Sequence, residues 1–331
     1  MITPTVNRRR RTLTSAIAVA APWLASRALG AGSDWPARPV RVVVNFPPGS
    51  SPDVLIRLVM PSVQTELGQP LVIDNRAGAS GVIGATAVAK APPDGYTLLM
   101  TAGSLITTTP YVFDKIPYDT QKDLVPVAGL ARLALFLVVR PGLPTADVRE
   151  FLDYLRSSHG RLSYASAGNA TGLHIAGEML NGRTGAQAVH VPYKGAALAL
   201  QGLLAGDVDF YFDPGIALEH VRANRLRLLA VASLRRASLF PDVPTLHEVG
   251  LTGFDAGTTH GLYAPAGLPP EIAARVNAAV NTALRSADVM QQIKAMGAEP
   301  AATTVQAFAE QMADDAKRYA QIVKERGIRG E

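Results

Sequence analysis

The sequence predicts an α/β protein made of two layered units. Three observations support this class: short apolar runs that read as strands alternate with helical segments, the alternation occurs twice along the chain, and 331 residues exceed what one core of ordinary size needs. Hydrophobic residues make up 48% of the chain and charged residues 18%, a balance typical of globular proteins. We therefore expect two globular domains of ordinary size.

The first unit opens with the apolar run 40–46, which we interpret as a buried parallel strand. A helix follows from about Asp53, which we expect to cap it, and the alternation continues through strands at 71–74 and 96–100. The second unit repeats the pattern, and its predicted strands are 135–140, 162–165, 188–191, 208–212 and 226–232.

Two long helices are predicted in the C-terminal part. The first begins at Pro269, because proline fits the first helical turn, and an apolar residue recurs at every fourth position from Ile272 to Leu284. The second begins near Thr304 and presents Phe308 and Met312 in the same way. Both helices should therefore bury one face against the rest of the protein.

The excess of basic over acidic residues lies in the first 31 positions, which hold five arginines and no acidic residue. Because the whole chain has 32 basic and 27 acidic residues, the remainder is balanced, and it has too few aromatic side chains to suggest a nucleic-acid partner. An apolar stretch follows the arginines, and small residues follow it. This order predicts a secretory signal peptide at 1–31, cleaved near 28–31.

The arginine pair before the apolar stretch leaves the export route open between general secretion and the twin-arginine pathway. The chain has no cysteine, which excludes disulfides, thiolate metal sites and a lipid-anchored N-terminus. No other segment approaches 18 unbroken apolar residues. We expect a mature protein that is free in the periplasm.

Four loops share one form, in which an apolar strand leads through small and hydroxyl residues into a helix. The first loop is 48–51, the second 78–81, the third 166–171 and the fourth 193–196. Helix N-termini present unpaired N–H groups and partial positive charge, so such loops can bind a carboxylate without arginine. Each loop taken alone also fits ordinary helix capping, and only the set of four favours a binding site.

Enzyme and nucleotide motifs are missing from the sequence. The glycines at 78, 81 and 84 do not have dinucleotide-binding spacing, and neither a phosphate-binding loop nor a nucleophile elbow occurs. His174 and Glu178 are one helical turn apart, but no third metal ligand is marked. We expect no catalytic residue, no metal site and no cofactor.

At this point the residues resemble a known family, the Bug-type periplasmic receptors of tripartite tricarboxylate transporters. The resemblance runs from about residue 34 to the C-terminus and depends on an ordered set of stretches. These are 35–44, 46–53, 67–81, 91–99, 164–174 and 191–195.

The resemblance implies a type II periplasmic-binding-protein fold, in which two α/β lobes close around a ligand cleft. It places lobe 1 at 34–132 plus 258–331 and lobe 2 at 133–257. The ligand-binding residues it implies are Phe46, Pro48, Gly49, Ser50, Ser51, Ala79, Ser80, Gly81, Ser104, Ser166, Ala167, Gly168, Asn169, Thr171, His174, Tyr193, Lys194, Gly195 and Asp213. Ser50 and Ser80 stand where the family commonly has glycine, so this cleft should differ in size or in hydrogen-bond donors.

The implied function is capture of a small carboxylate, such as a dicarboxylate, a tricarboxylate or an aromatic acid, by a monomeric receptor. The implied partner is the two-component membrane permease of a tripartite transporter. Two alternatives stay open from the sequence. One is a ligand-sensing adaptor for a signalling system, and the other is a hydrolase or lyase built on the same lobes.

Overall fold

The computed structural model describes residues 35–113 and 115–329, and the signal peptide predicted at 1–31 lies outside them. Within the described ranges the strands are β1 (Val40–Val44), β2 (Leu71–Asn75), β3 (Thr97–Thr101), β4 (Leu124–Leu133), β5 (Phe136–Val139), β6 (Ser163–Ser166), β7 (Val189–Pro192), β8 (Phe210–Asp213), β9 (Arg227–Val231), β10 (Thr258–Pro265) and β11 (Ala298–Pro300). The helices there are α1 (Ser51–Leu67), α2 (Val82–Ala89), α3 (Ser104–Thr107), α4 (Thr109–Val112), α5 (Val148–Ser157), α6 (Gly172–Thr184), α7 (Ala196–Ala205), α8 (Leu218–Arg222), α9 (Pro270–Leu284), α10 (Ala287–Ala295) and α11 (Val305–Arg326).

The first sheet has the strand order β11-β4-β10-β3-β1-β2. Its β1 strand, rich in valine, pairs in parallel with β2 and β3, as expected for a strand that helices cover on both faces. Strand β10 runs antiparallel between β3 and β4. Tyr263 and Phe308 pack with Leu99 in the core that this sheet shares with its helices.

The second sheet has the strand order β7-β6-β8-β5-β9. Strand β6 is parallel to β7 and β8, whereas β5 is antiparallel to β8 and β9. The fully buried side chains of Phe136, Tyr164 and Phe210 belong to the core around this sheet. Each sheet therefore has its own packed core and its own helices.

Two neighbouring strands carry the chain between the sheets. Strand β4 of the first sheet leads into β5 of the second after two residues, and the chain returns through 232–257 into β10. Strands β4 and β10 pair with each other, and Leu133 lies opposite Thr258 at the edge of the first sheet that faces the second. The chain therefore crosses between the sheets along one two-stranded ribbon.

The predicted α/β class and the type II fold are confirmed, and local details differ. The elements that were not predicted from the sequence are strands β4, β10 and β11 and helices α3, α4, α8 and α10. Asp53 lies in the first turn of α1 rather than at its N-cap, which is Ser50. Of the helices in the described ranges, none is long and apolar enough to cross a bilayer.

Candidate functional site

A cavity of about 220 Å³ opens between the loops of the two sheets. The first loop lies on one side of it, and α6, α7 and the third and fourth loops lie on the other. The residues that line it are Phe46, Pro47, Pro48, Gly49, Ser50, Ser51, Pro52, Ala102, Ser104, Leu135, Ala167, Thr171, Gly172, Leu173, Lys194, Gly195, Ala196, Ala197, Leu198, Pro214, Thr258 and His260.

The cavity has a polar buried end and an exposed rim. The buried end contains the side chains of Ser51, Ser104, Thr171, Thr258 and His260, each no more than 7% exposed. The rim contains Pro48, Lys194 and Leu198, which are exposed. Among the described residues of the lining, Lys194 is the one that carries a charge. A ligand would therefore meet hydroxyl groups inside and an ammonium group outside.

Three helix N-termini converge on this cavity, those of α1, α6 and α7. Their N-cap residues are Ser50, Thr171 and Gly195. Within the described part of the chain, the Ser50 and Thr171 side chains do not cap their helices, and Gly195 has no side chain to do so. The Thr171 hydroxyl donates instead to the Gly168 carbonyl at 2.8 Å. Because the first N–H groups of a helix have no intrahelical acceptor, α6 and α7 offer donors and partial positive charge to an anion. Helix α1 offers fewer donors, because Pro52 in its first turn has no N–H.

The first loop is fixed from behind by Asp53. The Gly49 N–H donates to its carboxylate at 2.9 Å, and Asn75 donates both to Asp53 and to the Phe46 carbonyl. Burial alone would raise the pKa of Asp53, but hydrogen bonds from Arg57, Gly49 and Asn75 outweigh it and hold the pKa below its usual range. Asp53 thus shapes the binding loop without facing the cavity.

The third loop is folded onto its own side chains. The Ser166 hydroxyl accepts from the Gly168 N–H at 3.1 Å and donates to the Gly168 carbonyl at 3.0 Å. It also lies 2.6 Å from His190 Nε2. Ala167 and Thr171 are left to line the cavity, while Ser166 itself is fully buried.

A serine–histidine pair in the buried end was missed by the sequence analysis. Ser51 Oγ lies 3.0 Å from His260 Nε2, although the two residues are 209 positions apart. Burial lowers the pKa of His260 to about 3, and its Nδ1 has no hydrogen-bond partner among the described residues. An imidazole with so low a pKa and no carboxylate to orient it is a poor general base, so the pair fits ligand contact better than nucleophilic catalysis.

The structure brings ten of the nineteen predicted site residues into the lining. These are Phe46, Pro48, Gly49, Ser50, Ser51, Ser104, Ala167, Thr171, Lys194 and Gly195. The other nine lie outside it, and they are Ala79, Ser80, Gly81, Ser166, Gly168, Asn169, His174, Tyr193 and Asp213. The lining residues that sequence reasoning missed are mostly apolar, with Leu135, Leu173 and Pro214 among them, and no local motif marks them.

The second loop lies beside the third loop rather than in the lining. A Cβ placed on Gly168 would lie 3.3 Å from Ser80 Oγ, so these two loops approach each other across the cleft. Ala79 and Ser80 both have left-handed backbone conformations, with φ of 47° and 52°. Ser80 therefore narrows the gap between the two loops and does not enter the cavity.

Tyr193 and Asp213 face away from the cavity for different reasons. The Tyr193 ring packs under α7, where a Cβ on Gly202 would collide with it. Asp213 is fully buried, and its carboxyl group accepts from the Gly215 and Ala217 N–H groups at 2.8 and 3.0 Å. Burial raises the pKa of Asp213 to about 7 despite these bonds. Asp213 thereby holds the turn that places Pro214 in the cavity wall.

A larger concavity of about 480 Å³ lies beside the crossing strands, around Arg132 and 233–238. Its charged side chains are largely paired. Arg132 contacts Asp255 at 2.8 Å, and Arg236 contacts Glu248 at 2.9 Å. Paired charges have less to offer a ligand than unpaired helix ends, so the smaller cavity is the better candidate. Within the described ranges, no group of three or more histidine, aspartate or glutamate residues could hold a metal ion.

Two α/β lobes joined by a crossing ribbon, with a cavity between their loops, define the class of two-lobed solute-binding proteins. The profile of the tripartite tricarboxylate transporter family receptor matches residues 55–328. The chain belongs to this family, whose members are periplasmic solute-binding receptors. BugT of Bordetella pertussis is 36% identical over 323 residues, which cover 96% of this chain and 99% of BugT.

Solved structures agree with this assignment. An R. palustris protein solved with adipate has a TM-score of 0.85 and 32% identity, over 90% of this chain and 100% of its own. MatC from Rhodopseudomonas palustris, with bound malate, has a TM-score of 0.81 and 34% identity, over 87% of this chain and 100% of its own. The resemblance noted from the sequence is thereby confirmed.

Proposed function

We propose that this chain captures a small organic acid in the 220 Å³ cavity and delivers it to the two-component membrane permease of a tripartite transporter. Family membership supports the transport role, and relatives of the same fold carry adipate and malate. The observation that carries the proposal is the convergence of three helix N-termini on one cavity. Such ends hold a carboxylate by N–H donation and partial charge, without an arginine.

The proposed ligand is a mono- or dicarboxylate with an apolar body. A carboxylate at the helix ends would lie beside the hydroxyls of the buried end, while the apolar walls formed by Leu135, Leu173 and Pro214 suit carbon chains or rings. A second carboxylate would find Lys194 at the rim. A third would have no charged partner in the described lining, so we expect tricarboxylates to bind more weakly.

The proposed lobes are 34–132 plus 258–331 and 133–257, with ligand bridging the two. The sheet assignments support this division, because the first sheet takes strands from both ends of the chain and the second takes β5 to β9. Closure on ligand then follows from contacts made to both lobes at once. We further propose that residues 1–31 are removed on export to the periplasm, that the mature receptor is a monomer, and that it does no chemistry on its ligand.

The decisive test is calorimetric titration of ligand-stripped mature protein with hexanoate, adipate, malate, benzoate and citrate. We expect heat with at least one mono- or dicarboxylate and the weakest response with citrate. No heat and no thermal shift with any of the five acids would refute carboxylate capture. Turnover of a bound acid, followed by NMR of the ligand, would refute the receptor role.

A further inference from the structure

Two histidine rings lie face to face behind the third loop. The rings of His174 on α6 and His190 on β7 have centroids 3.7 Å apart and planes within 7° of parallel. His174 is 6% exposed and His190 is half-buried, and neither ring lines the cavity. The pair therefore contacts the binding loop and not the ligand space.

Each ring holds one end of the third loop. His190 Nε2 lies 2.6 Å from the Ser166 hydroxyl, and the Ala170 N–H donates to His174 Nδ1 at 3.2 Å. The Ser166 hydroxyl has a single proton and two possible acceptors, the Gly168 carbonyl and His190 Nε2, so either the hydroxyl or the ring can be the donor in the contact with His190. His174 must keep Nδ1 unprotonated to accept from Ala170. The Ala170 bond therefore requires a neutral His174 ring with its proton on Nε2.

The loop needs this support because its backbone is strained. Ala170 has φ of 64°, a left-handed conformation that a residue with a Cβ disfavours. The adjacent Thr171 is the N-cap residue of α6 and lines the cavity, as does Ala167. If the Ala170 bond were lost, relaxation of this residue would move both lining residues.

The ring pair is itself fixed by its surroundings. The Tyr164 ring lies 5.1 Å from His190, and its hydroxyl donates to Glu178 at 2.8 Å. Arg326 on α11 donates to the other oxygen of Glu178 at 3.3 Å. Glu178 and Arg326 are the charged groups nearest the pair from α6 and α11, and they neutralise each other. The rings thus have little freedom to turn unless the loop turns with them.

We propose that His174 and His190 are positioning residues that hold the third loop in the shape that captures ligand. The proposal rests on the cavity's proposed function. When only a fraction of molecules has the competent loop, the apparent dissociation constant rises by the inverse of that fraction. Losing either ring nitrogen should therefore weaken binding without removing any atom that touches the ligand.

Phenylalanine and amide substitutions separate the two contributions of each ring. His190→Phe keeps a stacked ring but removes the partner of Ser166, whereas His190→Gln keeps a polar atom near Nε2 and loses the ring. In the same way, His174→Phe keeps a ring but removes the acceptor of the Ala170 N–H, whereas His174→Asn keeps a polar atom near Nδ1 and loses the ring. His247→Phe is the matched control, because His247 Nδ1 also accepts a backbone N–H, from Gly253 at 2.9 Å, and neither residue lines the cavity.

Amide hydrogen exchange and adipate titration on the mature protein test the proposal. Both phenylalanine variants in the pair should speed exchange across the third loop and weaken adipate binding about tenfold, since an unsatisfied buried group shifts an equilibrium by that order. The two amide variants should stay within about threefold of wild type. His247→Phe should leave adipate affinity and third-loop exchange unchanged.

Two results would overturn the proposal. One is unchanged loop exchange in His190→Phe and His174→Phe, and the other is faster exchange with unchanged adipate affinity. If the wild-type protein bound no acid in the panel, the function proposed for the cavity would fail. The exchange comparison would still show whether the rings hold the loop.

Discussion

Lys194 and the serine and threonine side chains of the buried end divide the recognition of an anion between them. The hydroxyl groups of Ser51, Ser104 and Thr171 lie in a region from which water is largely excluded, where hydrogen bonds are strong and a second anionic charge would be costly. Lys194 is exposed, so its attraction for a carboxylate is screened by water and salt. The two groups should therefore respond differently to mutation.

Replacing Lys194 by Ala should weaken adipate about two- to fivefold and leave hexanoate unchanged, because an exposed ion pair contributes little. The adipate effect should shrink as salt is raised from low to physiological concentration. Calorimetry of both acids measures this, with Lys294→Ala on exposed α10 as the control. If the binding of both acids were weakened equally, Lys194 would contact the carboxylate that both acids share, rather than the second carboxylate of adipate.

Gly172 and Gly177 lie on the same helix and should tolerate a methyl group very differently. A Cβ on Gly172 would meet Thr258 Cγ2 at 3.9 Å and Ser104 Cβ at 4.0 Å, which are ordinary contacts. A Cβ on Gly177 would fall inside the Tyr164 ring. The first methyl would occupy ligand space, whereas the second would displace a core side chain.

Gly172→Ala should therefore fold normally and bind adipate about tenfold more weakly, since one methyl group in a small pocket has roughly that effect. Gly177→Ala should lose about 1–3 kcal/mol of unfolding free energy through overpacking. Urea denaturation and adipate calorimetry on both variants separate the two effects. If Gly172→Ala bound adipate as well as wild type, the N-terminus of α6 would not be in contact with the ligand.

The sequence predicted about half of the residues that line the cavity. The others were missed because a local pattern does not show where a side chain points. Ser51 was found because it follows a strand and begins a helix, but its partner His260 lies on a distant strand with no local motif. Ser166 was placed in the site by its loop, yet its hydroxyl turns inward to His190 and Gly168. Loop sequence gives the position of a side chain, but tertiary contacts decide its direction.

At the scale of single elements, α5 and α11 show how a helix end differs when it does not bind a ligand. The Asp147 side chain accepts from the Arg149 and Glu150 N–H groups at 2.8 and 3.0 Å. Thr304 similarly caps α11 by accepting from Ala307 at 3.1 Å. These two ends are capped by their own side chains, whereas no side chain caps α1, α6 or α7, whose first residues line the cavity.

Asp147→Ala should lower the free energy of unfolding by about 1 kcal/mol, the usual loss for an N-cap, without changing adipate affinity. Thr304→Ala should behave in the same way on the other lobe. Chemical denaturation gives the stability change and calorimetry the affinity. If either variant bound adipate more weakly, helix ends outside the cavity would also contribute to capture.

Periodic and uniform elements were predicted well, whereas elements defined by their neighbours were not. Helices α9 and α11 have a regular apolar face, and the valine run of β1 has few alternatives to a buried strand. Strand β10 contains a glycine and a histidine and shows no alternation, because it is buried on both faces between β3 and β4. Its strand character comes from pairing, which a local pattern does not reveal.

Across the whole molecule, buried neutral histidines make stability depend on pH. Burial lowers the pKa of His174 to about 4 and those of His190 and His260 to about 3, whereas each would titrate near 6.5 in the unfolded chain. As pH falls below about 6.5, the unfolded chain takes up protons that the native protein does not. Asp213 makes the opposite contribution to the pH dependence of stability, because its raised pKa keeps a proton on the native protein that the unfolded chain has lost.

We expect the free energy of unfolding to fall as pH is lowered from 6.5 to 5, because the three buried histidines outnumber Asp213 and Asp315, the two aspartates whose pKa burial raises. Each proton that the unfolded chain binds and the native protein does not lowers the free energy of unfolding by about 1.4 kcal/mol per pH unit. His174→Asn should remove about one such proton and reduce the pH dependence accordingly. Urea denaturation at pH 7, 6 and 5 checks both statements. A flat or rising profile would mean that these rings are protonated in the native protein.

The crossing ribbon also sets an order for folding. The second sheet is formed by one continuous stretch of chain, so its strands can pair as soon as that stretch exists. The first sheet has a gap at its centre until β10 arrives from the last quarter of the chain and separates β3 from β4. Until then two strand edges stay open, and non-local pairing of this kind is slow. One lobe should therefore be able to form early, while the other waits for nearly the entire polypeptide.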